Sequence, residues 1–278
     1  METFDMSENT ETLKICEKWY KKLGFPTEFD AEFYNALKKI QIPETTNIYD
    51  YNLDEQDGKR NLAAFLYMCE ELNQKYTEKG IEKQIFFDTL KELVRWTRVW
   101  SDIKGELYLG ELKWLSLIMK MELFRIGELE FIAKKSTCTC SELGLKQGDN
   151  IVEVHIPEKV NLSPEAVKRS FKLANDFYAK YYPEYKYSHY TCFSWLLDEG
   201  LSNFLSSESN IIQFQKMFTL VQSDRQESDF ALKFIFKWDT TRDNLKNAVC
   251  ISGFAEKIKA YALSGGKLYA CSGVIKKQ

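Results

Sequence analysis

Histidine is scarce in this chain of 278 residues: His155 and His189 are the only two. A histidine-rich metal centre is thereby excluded, no carboxylate motif takes its place, and no metal is expected. The cysteines offer no zinc knuckle either, because Cys138-x-Cys140 has the wrong spacing and no second pair accompanies it. An excess of basic charge is also missing. Lys and Arg number 38 against 41 Asp and Glu, a formal net charge of −3 with both signs interspersed, so no nucleic-acid partner is expected. There is no run of ~18 apolar residues, so no membrane span is expected. The opening METFDMSENTET is polar and acidic, without a secretory hydrophobic region. The seven cysteines are odd in number and scattered. With that opening they read as free thiols in a reducing compartment, and the expected location is cytoplasmic. Repeats, low-complexity tracts and long flexible linkers are lacking as well.

What is present is apolar and rich in rings: 44% hydrophobic residues, with 19 Phe, 15 Tyr and 6 Trp. That composition suits a core filled by large side chains; the alternative is that some of the rings line a ligand cleft. Up to about residue 120 the apolar residues recur at helical spacing. Leu13, Cys16, Trp19, Tyr20 and Leu23 form one stripe, and Leu62, Phe65, Leu66, Cys69 and Leu72 another. Ile85, Phe86, Leu90, Leu93, Val94 and Trp96 form a third, and Lys113 to Phe124 a last helix. Pro43 to Asp57 reads as an acidic connection. Near residue 123 the period becomes two. Leu129, Phe131 and Ala133 alternate with Glu130, Ile132 and Lys134, and Val152, Val154 and Ile156 alternate with Glu153 and His155.

Pro157 ends that second strand. Ser163-Pro164-Glu165 then opens a helix, with Ser163 as N-cap and Pro164 in the first turn. It runs to about Tyr182, and Tyr187–Ser194 is the next strand. A strand, a capped helix and a strand make a βαβ unit with parallel strands. Leu196–Leu205 reads as a short helix, Phe230–Trp238 as an alternating strand, Leu245–Leu263 as a long helix, and Leu268–Ile275 as a final strand. The expected architecture is α/β (α+β): a helical N-terminal domain, 1–122, packed on a mixed sheet in 123–278.

In open α/β sheets, ligands bind beyond the carboxyl ends of parallel strands. Here that edge is His155-Ile156-Pro157 on one strand and Cys192-Phe193-Ser194-Trp195 on its partner. The helix start at Ser163 points amides at the same edge and favours a phosphate. Glu158-Lys159-Val160-Asn161 adds a cation and a side-chain amide.

These strings are recognisable. Val154-His155-Ile156-Pro157, Leu162 to Ser170, Cys192 to Asp198 and Ser209 to Gln215 resemble a bacterial family of acyltransferases with a GNAT-like C-terminal domain. Gly110 to Trp114 and Glu122 to Leu129 also resemble it, and Gly80 to Trp100 is similar to that family's N-terminal acyltransferase domain. The resemblance spans roughly residues 60–240. It implies an acyl-CoA or acetyl-CoA donor. Pantetheine would run between two splayed parallel strands, with the acyl carbonyl near Val154 and Ile156 and the pyrophosphate near Lys159, Asn161 and Ser163. Two departures stand out. The glycine-containing pyrophosphate pattern is absent, and Glu158–Ser163 holds no glycine. Phe193 stands where the family pattern has His.

Acyl transfer to an amine needs a base, donors to the carbonyl oxygen and a proton for the leaving thiolate. His155 is the candidate base, because histidine titrates near neutral pH, and Glu153 on the same strand face is a partner for its imidazolium. Cys192 or Ser194 is the candidate donor to the thiolate. A Cys192–His155 nucleophile pair is a further option if both side chains share a face. Trp195 either walls the acyl pocket or packs. Asn210 either caps a helix or bonds the pantetheine amides. Glu122 and Arg125 are a local ion pair at helical spacing or substrate contacts. The expected function is an N-acyltransferase acting on a small-molecule amine by direct transfer. The alternative is a GNAT-like binding or interaction module without catalysis. Oligomeric state cannot be read from the sequence.

Overall fold

A computed structural model gives the fold and describes residues 6–40 and 55–277. Most of the acidic connection from Pro43 lies outside the described residues. The chain divides into two compact units, Met1–Phe124 and Arg125–Gln278.

The first unit is helical: α1 Met6–Leu23, α2 Asp30–Leu37, α3 Gly58–Lys79, α4 Lys83–Lys104 and α5 Leu112–Met119. The stripes read from the sequence supply its core, with Cys16, Trp19, Leu62, Phe65, Leu66, Cys69, Leu90 and Leu93 at most 1% exposed. Two carboxylates staple the helices by accepting indole N–H groups. Glu92 takes Trp96 Nε1 and Trp114 Nε1, each at 2.9 Å, and Glu70 takes Trp19 Nε1 at 2.8 Å. α5 stops at Met119, short of the expected Phe124, and Met121 lies in the left-handed region at φ 58°.

The second unit is built on a six-stranded sheet of order β1-β2-β3-β4-β6-β5. Its strands are β1 Leu123–Ile126, β2 Leu129–Lys135, β3 Asn150–His155, β4 His189–Ser194, β5 Thr219–Glu227 and β6 Tyr269–Lys276. Between them lie α6 Pro164–Tyr181, α7 Asn210–Gln215, α8 Phe230–Ile235 and α9 Gly253–Leu263. β3 and β4 are parallel and joined through α6, as the βαβ reading expects; β2·β3, β4·β6 and β5·β6 are antiparallel.

Register fixes the two faces of the sheet. Phe131, Val152, Val154 and Tyr190 face α6, where Tyr190 meets Phe171 at 4.7 Å and Phe131 at 6.0 Å between ring centres. The opposite face carries Ile151, Val274 and Val221, covered by Cys138, Cys140 and Leu145 of the loop between β2 and β3.

Three expectations fail here. Phe230–Trp238 is helical through Ile235: the neighbours Ala231 and Leu232 are both buried while Phe230 and Phe234 are exposed, which a strand alternation would not give. The strand that flanks β6 is instead the polar β5, an exposed edge with an irregularity between Val221 and Gln226. The long helix from Leu245 is a short 3-10 turn, Leu245–Asn247, followed by α9. Leu196–Leu205, expected as one helix, is two 3-10 turns.

The β1–β2 turn rests on α6. Gly127 has φ 66°, and a Cβ there would lie 2.5 Å from Ser170 Oγ, which also accepts the Glu128 N–H at 2.9 Å. Gly127→Ala is therefore expected to destabilise the fold by at least about 1 kcal/mol. Gly144→Ala, at φ 77° with nothing within 4 Å, should lose less. Denaturant midpoints of the two variants check the order.

Candidate functional site

The parallel pair is in register at three positions, Ile151↔His189, Val152↔Tyr190 and Glu153↔Thr191. Beyond them each strand continues with its other neighbour. Val154 and His155 stay paired with Phe131 and Glu130 of β2, while Cys192, Phe193 and Ser194 stay paired with Gly273, Ser272 and Cys271 of β6. The carboxyl ends of β3 and β4 thus diverge. The β3–β4 register itself stops at Glu153 and Thr191.

The α6 start adjoins β3 through Pro157–Ser163. Ser163 caps the helix, its Oγ accepting the Ala166 N–H at 3.4 Å, and Pro164 has no N–H to offer. The Asn161 side-chain oxygen accepts the Ser163 N–H at 2.9 Å. Glu128 Oε2, from the β1–β2 turn, accepts the Asn161 N–H at 3.1 Å. Among the described residues around the helix start, Leu162–Val167, this leaves the Leu162 and Glu165 amides as open donors. Lys159 takes the left-handed conformation at φ 61° that glycine would otherwise supply. Its side chain is 87% exposed and pairs with Glu158 at 3.3 Å.

His155 Nε2 lies 3.1 Å from Glu153 Oε2, and the same oxygen takes Lys134 Nζ at 3.1 Å. Burial raises the Glu153 pKa, but the hydrogen bond and charge of His155, together with Lys134, outweigh it and hold the carboxyl below its ordinary 4.5. His189, by contrast, is a buried structural residue. Its ring lies 2.9 Å from Ser188 Oγ and 3.0 Å from the Leu143 carbonyl, and it ties β4 to the covering loop.

Strand alternation separates the remaining candidates. Cys192 and Ser194 share a face with Tyr190, toward α6, whereas His155 shares the opposite face with Glu153, Thr191 and Phe193. The Cys192–His155 pair is ruled out by this register. Cys192 is also fully buried, and burial pushes its thiol well above the ordinary value, so little thiolate forms. Ser194 Oγ accepts the Leu196 N–H at 3.1 Å and keeps its own hydrogen to donate.

Trp195 packs into the cluster around Leu201, Leu232 and Leu245 and stacks on Phe234, 6.4 Å between ring centres. Asn210 is exposed at the start of α7; the cap there is Ser209, whose Oγ accepts the Ile212 N–H at 3.3 Å. Glu122 is exposed ahead of β1 and Arg125 lies within it, in different units and beyond the end of α5, so helical three-residue spacing does not apply to them. The sequence reading gave no role to Glu128 or Lys134, both brought to this edge by strand pairing. Among the described residues no group of three or more His, Cys, Asp or Glu is placed to hold a metal ion, and no helix is long and apolar enough to cross a membrane.

Comparison with known proteins agrees with this architecture. Residues 11–121 match the N-acyltransferase N-terminal domain, and residues 123–275 match the GNAT-like C-terminal domain. A search of curated proteins finds no match. Among solved structures, an acyltransferase in complex with decanoyl-CoA and teicoplanin superposes with a TM-score of 0.78 at 20% identity, covering 95% of this chain and 88% of that one. An acyltransferase in complex with decanoyl-CoA gives 0.77 at 22% identity over the same shares. One in complex with CoA and 10C-teicoplanin gives 0.71 at 18%, covering 100% and 89%. At these identities the likeness establishes the fold. With more than half its length matched by one family model, the chain belongs to the family of proteins with a GNAT-like C-terminal domain, here preceded by an N-acyltransferase N-terminal domain.

Proposed function

We propose that this protein transfers an acyl group from acyl-CoA to an amine by direct attack, with the donor thioester held where β3 and β4 diverge. The observation that carries this reading is the end of β3–β4 pairing at Glu153 and Thr191. It places the backbone of Val154, His155 and Ile156 beyond the last β3–β4 pair, where pantetheine amides and the thioester carbonyl would bond. The neighbouring structures that hold acyl-CoA share the fold, and the family description names an N-acyltransferase domain.

The donor and the acceptor then use opposite faces of the sheet. The amine nitrogen attacks the thioester carbon, the C–S bond breaks, and the thiolate takes up a proton. With the Nε2 hydrogen of a neutral His155 ring donated to Glu153, the lone pair is on Nδ1, which accepts the proton lost by the amine. Ser194, on the α6 face, donates a hydrogen bond to the departing thiolate, which takes its proton from solvent. The pyrophosphate lies at the α6 start, where Leu162 and Glu165 offer amides and Lys159 and Asn161 line the loop. Ion pairing of Lys134 with Glu153 keeps the carboxylate ionised and orients the imidazole.

A second reading has a specific observation behind it. Glu128 already occupies the Asn161 amide with a negative charge, as a module without a CoA donor would tolerate. One experiment separates the two. Acetyl-CoA well above its Kd should raise the Tm of the full chain. His155→Ala should keep that shift and lower turnover by about 10²-fold or more. A shift without turnover in the unsubstituted chain favours a non-catalytic module that still binds the donor, and no shift at all removes the transferase reading in favour of a module without a CoA donor.

Glu128→Gln removes like charge from the phosphate position. It is expected to tighten CoA binding measured by titration calorimetry, with the gain shrinking as salt rises. Glu153 gives a pH signature. Its folded pKa lies below the ordinary 4.5, so its stabilising contribution is present above that value and is lost as pH falls through the folded pKa. Glu153→Gln should be destabilised relative to the unsubstituted chain at pH 7, and the gap should narrow as pH falls below the ordinary 4.5 and through the folded pKa. Urea midpoints at a series of pH values check this.

A further inference from the structure

Phe193 is 40% exposed, although its strand neighbour Cys192 is fully buried and Thr191 is 6% exposed. Phe193 thus presents part of a large apolar ring to solvent from an interior strand of the sheet. Strand alternation from the Glu153↔Thr191 register puts Phe193 on the His155 face, at the carboxyl end of the diverging strand. Its register partner on β6 is the small, polar Ser272.

Other rings nearby are engaged. Tyr190 packs with Phe131 and Phe171 on the α6 face, and Trp195 stacks on Phe234. Phe193 has no ring contact of this kind among the described residues. It has no proton to give or take, so it cannot share the chemistry of His155. What it offers is a flat apolar surface at the same sheet edge and on the same face as the base, opposite α6.

We propose that Phe193 is a specificity-determining residue that holds the acyl acceptor by a ring or other flat apolar group and so places its amine against His155. The acceptor class is then a primary amine with an aromatic or alicyclic ring a few bonds from the nitrogen. This rests on the transferase reading above and names the acceptor for it. A ring stacked on Phe193 gains the modest preference that aromatic pairs show over simple burial.

The test measures acetyl-CoA-dependent turnover with 2-phenylethylamine and with ethylamine, in the unsubstituted full chain and in Phe193→Ala and Phe193→Leu. The ratio of kcat/KM for the two amines should favour phenylethylamine. It should fall about fivefold to tenfold in Phe193→Ala, through KM more than kcat, and by less in Phe193→Leu. The thermal shift with acetyl-CoA should persist in both variants, which shows that they fold and bind donor. A ratio unchanged within twofold overturns the proposal. So does an acetyl-CoA shift without turnover of phenylethylamine in the unsubstituted chain. Absence of the shift in the unsubstituted chain defeats the transferase reading first, and the Phe193 assignment with it.

Discussion

The divergence of two neighbouring strands governs the rest of the C-terminal unit. β3 and β4 each have a second neighbour that keeps pairing after they part: β2 holds β3 through His155, and β6 holds β4 through Ser194. Twisted strands bound to different partners separate at one end, and antiparallel pairing on both outer sides prevents them from closing again. The result is a stretch in the middle of the sheet where β3 and β4 are not paired with each other. A ligand that presents amides and a carbonyl is the natural complement to such a gap.

The same register sorts chemistry by face. Cys192 and Ser194 look toward α6, and Glu153, His155 and Phe193 look away from it. A thioester threaded through the gap would be reached from both sides at once. Charge is arranged unevenly around that path. On the base side, Glu153 is compensated by Lys134 and His155. At the α6 start, Glu128 is held by a backbone amide, and Lys159 of the preceding loop lies on the surface beside Glu158. Any phosphate binding here would draw mainly on backbone amides rather than on cations. The left-handed Lys159 gives the loop a turn that its lack of glycine argued against.

Much of this was readable from local pattern. The Ser163-Pro164-Glu165 helix start, the period of two in β2 and β3 and the parallel βαβ unit all depend on residues close in sequence. The elements that were missed depend on distant ones. β5 is polar and exposed and carries little hydrophobic alternation, so only its pairing with β6 reveals it. Phe230–Trp238 fits both periods, and burial of Ala231 and Leu232 decides for the helix. Glu128 meets Asn161 across 33 residues and Lys134 meets Glu153 across 19. The face on which Cys192 lies relative to His155 follows from a register between strands, which one sequence does not contain.

Amide hydrogen exchange of the full chain with and without acetyl-CoA addresses the central claim most directly, because it reads the backbone groups proposed to hold the donor. The account expects slower exchange in two separate segments, Val154–Ile156 and Asn161–Ala166, with α1 and α3 unaffected. Protection confined to any other part of the chain, or none in those two segments under saturating ligand, would contradict it.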